Sequence, residues 1–290
     1  GANENEPITL KVTGVICVGE QPNISVAKGE AVEIVTGAPM PEGADAAVMV
    51  EDTEREDSKL SVFAPVTVNQ NVMKKGSDIK NGDVVLKKGQ LLGSSEIGVL
   101  AALGLTKVKV YKIPIVAVLS TGGEITEPGK ELHAGKIYDI NAYSISTAVI
   151  ESGGKPVYLG VVPDDKVALT KVLQTAIASA DMVITSGGVS VGPRDYTPQI
   201  VDSLGKPGIV VCGIAVKPGK PTTVGFIGDK PVFSLPGHPT SALLIFYLLA
   251  RPLIQQLAGR PVVGMKVVKA FAGSRMFSAK GRRTFVMVKI

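Results

Sequence analysis

From Pro114 onward the chain alternates short, wholly apolar runs with segments of helical periodicity, and no other feature limits its fold so tightly. PIVAVLS (114–120), PVYLGVV (156–162) and DMVIT (181–185) lack the polar alternation of a half-exposed strand, so each predicts a strand buried on both faces. Between the first two, Asn141 is placed to cap a helix carrying Ala142, Ile145 and Val149. After the second, Leu169, Val172, Leu173, Ala176 and Ile177 recur at i, i+3, i+4, i+7 and i+8 of another helix. YTPQIVDSL (196–204) reads as a short helix, and IVVCGIAV (209–216), TTVGFIG (222–228) and PVFSLPG (231–237) read as strands. A long helix follows from about 240 to 258. Strand and helix in alternation predict an α/β domain with a mostly parallel doubly wound sheet over residues 113–261.

The flanking segments have a different texture. Residues 1–75 are rich in Val, Thr, Gly and Pro. ITLKVTGVICV, GEAVEIVTG, AAVMVED and LSVFAPVTV predict short strands in a β-rich lobe. Residues 76–112 form a connecting arm. It holds turns around Asn81-Gly82, a short helix in SSEIGVLAALGL capped by Ser94 or Ser95 and ended by Gly104, and a strand in KVKVYKIP. Residues 262–290 return to strand-like runs, MKVVKAF and TFVMVKI, and read as the start of a truncated C-terminal β domain.

Composition removes several function classes. The net charge of +5 is spread over scattered Lys and Arg, and the densest like-charge cluster is acidic, EDTERED (51–57). Nucleic-acid binding calls for a basic stripe with stacking aromatics, and none is present; a small anionic ligand is the economical use of local basic spots. Cys17 and Cys212 make no framework for disulfides, and His133 and His238 are too far apart to suggest zinc. The longest apolar run, ALLIFYLLA (242–250), is nine residues, too short to span a bilayer, and no signal peptide opens the chain. A reducing, cytoplasmic setting is expected.

Ligands of open parallel sheets bind beyond the carboxyl ends of the strands. Four Gly- or Pro-rich loops fall at or near such ends: STGGEI (120–125), TSGGVSVGPRD (185–195), KPGKP (217–221) and LPGHPTS (235–241). Gly187 and Gly188 would admit an anion to backbone N–H groups, while the hydroxyls of Thr185, Ser186 and Ser190 could donate to phosphate or carbonyl oxygens. Lys217 and Lys220 flank a Pro-Gly turn and would converge on an oxyanion. Glu124 and Asp195 offer hard oxygen ligands suited to Mg2+. Any one of these loops alone is an ordinary turn, and neither the dinucleotide fingerprint nor the P-loop pattern is satisfied. Four in one α/β segment are hard to read as turns only.

Taken in order, TGAPMPEGADAAVMVE (36–51), GSDIKNGD (76–83), STGGEI, GKIYDINAY (135–143), TSGGVSVGPRDY, AVKPGKP and LPGHPTS resemble the molybdopterin molybdenumtransferase family, the bacterial and archaeal relatives of the gephyrin E domain. The resemblance implies that adenylylated molybdopterin and molybdate (or tungstate) bind, that AMP is released and that molybdenum is inserted, with Mg2+ on Glu124 and Asp195. It implies a pterin-phosphate site at Thr185, Ser186, Gly187, Gly188 and Ser190. Lys217, Lys220, Pro221 and Ser241 would form an oxyanion site, with Asp78 and Asp164 nearby. Pro236, Gly237, Pro239 and Arg282 complete the cofactor-binding set. A homodimer is implied, in which the lobe bearing Thr36 helps form the other copy's site. A molybdopterin adenylyltransferase and other cofactor-pathway proteins are the implied partners, with neither nucleic acid nor membrane. The sequence departs from the family at Gly213, where a lysine is frequent, and lacks its acidic DGYA-type motif. Two other readings stay open: a non-catalytic gephyrin-like scaffold, and an adenylyltransferase of the same fold.

Overall fold

A computed structural model describes residues 2–3, 6–188, 196–262, 264, 267–271 and 273–288. The chain divides into two compact units, Gly1–Val85 and Leu86–Ile290. In the first, β1 (Ile8–Ile16), β2 (Glu30–Ile34), β3 (Thr53–Glu56) and β4 (Lys59–Val62) form a sheet in the order β2-β1-β4-β3. β1 and β2 run parallel, and the other neighbours are antiparallel. AAVMVED is not a strand: it ends in a 3-10 turn at Val50–Asp52. The strand begins at Thr53, inside the acidic run, and turns into β4 through Asp57 (φ 54°) and Ser58. Charge on Glu54 and Glu56 suits an edge strand, where it discourages pairing with another chain.

The second unit opens with α1 (Ser94–Ala102). Its N-cap is Gly93, not Ser94 or Ser95, because the Glu96 carboxylate reaches back to accept the Gly93 N–H at 3.0 Å. KVKVYKIP forms no strand: residues 105–113 are exposed and pair with no strand among the described residues. The elements that follow are β5 (Ile115–Thr121), β6 (Ile125–Thr126), β7 (Ile137–Tyr138), α2 (Asn141–Ser152), β8 (Lys155–Val162), α3 (Lys166–Ser179), β9 (Met182–Ser186), α4 (Thr197–Leu204) and β10 (Pro207–Cys212). After these come β11 (Val216–Lys217), β12 (Thr223–Ile227), β13 (Lys230–Leu235), α5 (Pro239–Ile245), α6 (Arg251–Leu257) and β14 (Arg283–Thr284). The run IVVCGIAV is thus divided between β10 and β11, with Gly213 at φ 76° between them. Of TFVMVKI, only Thr284 lies in a strand among the described residues, and the described part of MKVVKAF has none.

The main sheet has the order β10-β12-β13-β9-β5-β8. β13, β9, β5 and β8 are parallel neighbours, and β12 alone runs against the rest, so the expected mostly parallel α/β architecture holds. Side-chain parity divides its core in two. Val116, Val118, Met182, Ile184, Phe233 and Leu235 face α2, α5 and α6, whereas Ala117, Leu119, Val183 and Val232 face α3 and α4.

The long helix after β13 is interrupted. Between α5 and α6 the turn Phe246–Ala250 is π-helical, immediately before Arg251 and Pro252. Proline lacks the N–H for an α-helical bond and its ring crowds the carbonyl four residues back, so a widened turn accommodates it. The whole helical run Pro239–Leu257 spans 19 residues at a mean hydropathy of 1.2, so its length and composition alone would suit a membrane, contrary to the reading of its nine-residue apolar centre. What assigns it to the core is its buried stripe: Ala242, Ile245, Phe246, Ala250 and Ile254 are all fully buried with the sheet residues.

Candidate active site

Chain order and sheet order reverse at β5 and β9. The chain leaves β5 for β8 on one side, then crosses back to β9 on the other. Adjacent parallel strands whose connections diverge leave a crevice at their carboxyl ends, the ligand position in doubly wound sheets. The loops that open there are Thr121–Gly123 after β5 and Gly187–Gly188 after β9, with Pro236–Gly237 after the neighbouring β13.

These loops touch through glycines. Gly187 has φ 87°, and a Cβ there would overlap the Thr121 carbonyl oxygen. A Cβ on Gly188 would lie 2.8 Å from Thr121 Cγ2, and one on Gly237 would lie 3.8 Å from Gly187 Cα. The Gly187 N–H donates to the Leu235 carbonyl at 3.2 Å. The β5 loop is pinned from the other side by Asp164, which accepts from Thr121 Oγ1 at 2.5 Å and from the Gly123 N–H at 3.2 Å. Its neighbour Asp165 caps α3, accepting from the Ala168 N–H at 2.8 Å. The adjacent acidic pair therefore serves two elements at once.

Glu124 lies exposed on this loop with its carboxylate folded back over Gly122, where a Cβ would be 2.9 Å from both oxygens. The Lys136 ammonium donates to the Gly123 carbonyl, and the Glu124 carbonyl accepts from the Ile137 N–H at 2.9 Å, which ties the loop to β7. Among the described residues no partner engages the Glu124 carboxylate, and no cluster of three metal-ligating side chains exists. Its two hard, unengaged oxygens fit Mg2+. The expected second ligand, Asp195, lies outside the described residues, as does Ser190.

Thr185 and Ser186 sit on β9 itself and are 1% and 3% exposed, so they are strand residues buried in the sheet rather than members of an open loop. The Thr185 hydroxyl has no hydrogen-bond partner among the described residues. Asn141, expected as a helix cap, has another task. The N-cap position is Ile140; Asp139, one residue before it, accepts the Ala142 N–H of the first turn at 3.0 Å with one carboxylate oxygen and the Tyr158 hydroxyl at 3.0 Å with the other. Burial, reinforced by the Asp139 charge, raises the Tyr158 pKa far above the usual phenol range, so this hydroxyl stays a donor. Asn141 is thereby free to donate to Ser186 Oγ at 2.7 Å and to the Gly237 carbonyl at 2.7 Å. A cap and a long-range tether look alike in sequence; the one available signal is the second acid two residues earlier.

Lys217 and Lys220 are exposed and, among the described residues, form no ion pair. The KPGKP turn closes by Thr222 Oγ1 donating to the Gly219 carbonyl at 2.7 Å. It seats Gly219 on α5, where a Cβ would be 2.5 Å from Ile245 Cδ1. The same helix carries buried Ser241 in its first turn, after buried Pro236 and half-buried Pro239. Pro221 is exposed. Lys217 pairs with Thr284 in the β11–β14 ribbon, which brings the exposed Arg282 segment alongside it. Thr36 and Asp78 are exposed residues of the first unit, Thr36 just beyond β2 and Asp78 in a turn.

A switch-point crevice walled by glycine loops, with Glu124 following the β5 loop, is the small-ligand site of a doubly wound α/β protein. Residues 117–256 match the family model described as "Probable molybdopterin binding domain", and residues 1–104 match that of the "MoeA N-terminal region (domain I and II)". The chain is 40% identical over 256 residues to the molybdopterin molybdenumtransferase of Haemophilus influenzae, covering 88% of this chain and 63% of that one. It is 37% identical over 261 residues to that of Nostoc sp., covering 89% and 60%. The crystal structure of the molybdopterin biosynthesis MoeA protein from Pyrococcus horikoshii superposes with a TM-score of 0.75 at 44% identity, over 89% of this chain and 64% of that one. Over about nine-tenths of its length the chain is thus similar to molybdopterin molybdenumtransferases, and it spans about three-fifths of the length of these relatives.

Proposed function

We propose that this chain carries the site at which molybdate or tungstate is inserted into adenylylated molybdopterin with release of AMP. The observation that carries the reading is the convergence of the β5, β9 and β13 loops at the switch point, with the lysine turn seated on the helix that leaves the third of them. The N–H groups of the glycine loops and the Ser186 hydroxyl would bind the pterin phosphate. Lys217, Lys220, Pro221 and Ser241 would line the oxyanion site, and Arg282 would belong to the cofactor-binding set. Glu124, together with Asp195, would hold Mg2+, which when bound neutralises phosphate charge. The exposed free thiols of Cys17 and Cys212 suit a reducing cytoplasm.

The test is AMP release from adenylylated molybdopterin by this chain with Mg2+ and either oxyanion. Lys220→Ala removes one point charge from one subsite, so the half-saturating molybdate concentration should rise by about tenfold, while molybdopterin affinity changes by less than about twofold. Equal losses for both ligands would remove Lys220 from the oxyanion site, and no AMP release with either oxyanion would sink the proposed activity.

The same reading includes a twofold homodimer, in which Thr36 of one copy helps complete the site of the other, and association with a molybdopterin adenylyltransferase. Sedimentation equilibrium should give the mass of two copies; a monomer at micromolar concentration, combined with full activity, would rule out the shared site.

A further inference from the structure

Asn141 bridges the end of β9 and the loop after β13 and is 7% exposed, yet the family resemblance assigns it no task there. Its amide orientation follows from its partners. The Gly237 carbonyl can only accept, so the amide nitrogen must face it. The remaining N–H then goes to Ser186 Oγ at 2.7 Å. A hydroxyl that accepts there keeps its own proton to donate elsewhere, and among the described residues no acceptor takes it. On the other side of the same amide, Asn141 Oδ1 is buried without a partner. A buried site that leaves a fixed donor and a fixed acceptor unmatched is incomplete as a protein interior, since such groups are normally satisfied.

We propose that Asn141 is a positioning residue that sets the polarity of Ser186, forcing its hydroxyl to act as a donor toward an anionic ligand, and that locks the β9 loop to the β13–α5 loop. The inference rests on the molybdopterin-phosphate reading of this site. Asp139 supports the arrangement from behind: one of its oxygens takes the Ala142 N–H of the first turn of α2, and the other is held by Tyr158. An aspartate at position 141 has nearly the shape of asparagine and the opposite hydrogen-bond sense. Once ionised it would repel the Gly237 carbonyl and draw the Ser186 proton to itself, which leaves the ligand facing a lone pair.

The experiment measures molybdopterin affinity by equilibrium dialysis for the wild-type chain, Asn141→Asp, Asn141→Ala, Ser186→Ala and the double variant Asn141→Asp/Ser186→Ala. Hydrogen bonds to charged groups correspond to roughly 10- to 100-fold in affinity, so Ser186→Ala should weaken binding by about tenfold and Asn141→Asp by about tenfold or more. The double variant should lie within about threefold of Asn141→Asp alone, because polarity control has no object once the hydroxyl is gone. A pH series separates polarity from packing. A buried carboxyl titrates above its usual ~4, and when protonated it regains a donor. Affinity of Asn141→Asp relative to wild type should therefore recover as pH falls from about 7.5 to about 5, whereas Asn141→Ala should stay at a constant ratio. Losses that multiply in full in the double variant, or a flat pH ratio for Asn141→Asp, overturn the inference while leaving the site assignment intact. A wild-type chain that does not bind molybdopterin overturns the site reading itself. Circular dichroism melts of each variant exclude unfolding as the source of the losses, and the Asn141→Ala and Ser186→Ala pair supplies the same cycle if Asn141→Asp does not fold.

Discussion

Gly187→Ala is expected to lower stability by roughly 2–5 kcal/mol and to abolish ligand binding at the crevice. Two costs add. Holding an alanine at the φ of 87° found here costs about 1–2 kcal/mol. The new methyl would also overlap the Thr121 carbonyl oxygen, a backbone atom that cannot rotate away, and relieving such overlap typically costs about 1–3 kcal/mol. The relief must come from parting the β5 and β9 loops, which is the geometry on which the site depends. Gly123→Ala is the matched control. It lies on the same β5 loop, with open space where its Cβ would go and no left-handed backbone, so its effect should stay within about 1 kcal/mol. Urea unfolding of both variants, with molybdopterin dialysis alongside, decides the matter. Equal stability of the two would mean that the loops do not pack as described.

Phe246→Ala should cost about 3–5 kcal/mol, the range for truncating a buried aromatic. The side chain is fully buried in the π-helical turn, among the residues that cover one face of the sheet, and its ring meets Tyr247 edge-on at 5.5 Å between centroids. The cavity would open beneath the helix rather than at the loops. Affinity for molybdopterin, measured well below the lowered melting temperature, should therefore change by less than about threefold. Leu249→Ala, in the same turn but 36% exposed, should cost no more than about 1 kcal/mol. A Phe246→Ala chain that melts like wild type would show that this helix is not packed on the sheet.

The two kinds of effect separate because different parts of the chain were legible to different degrees. PIVAVLS and DMVIT announce doubly buried strands by apolar content alone, and each is one: β5 and β9 bury residues of both parities, so no polar face was available to alternate. The glycine loops were legible for the same local reason, since few residues other than glycine accept the backbone that Gly187 adopts. KVKVYKIP shows where local pattern stops. Its alternation is that of a strand, but a strand also requires a neighbour with free backbone groups, and it pairs with none among the described residues. EDTERED shows the converse: its charge gave no strand signal, yet Thr53–Glu56 found β4 to pair with and became an edge.

Asn141 marks the limit most sharply. The residue types around it, with an acid two positions before and a helix after, were plain in the sequence and suggested a cap. Its partners are Ser186 and Gly237, 45 and 96 positions away, and no periodicity or capping rule reaches that far. Sequence by itself determined the α/β class, the buried strands and the glycines that let loops approach, because these depend on burial and on backbone freedom within a few residues. Only the tertiary structure decided which loops meet, that Asp164 holds the β5 turn, and which hydroxyl Asn141 orients. Those contacts depend on the order in which strands enter the sheet, and that order brings the ends of distant segments to one crevice.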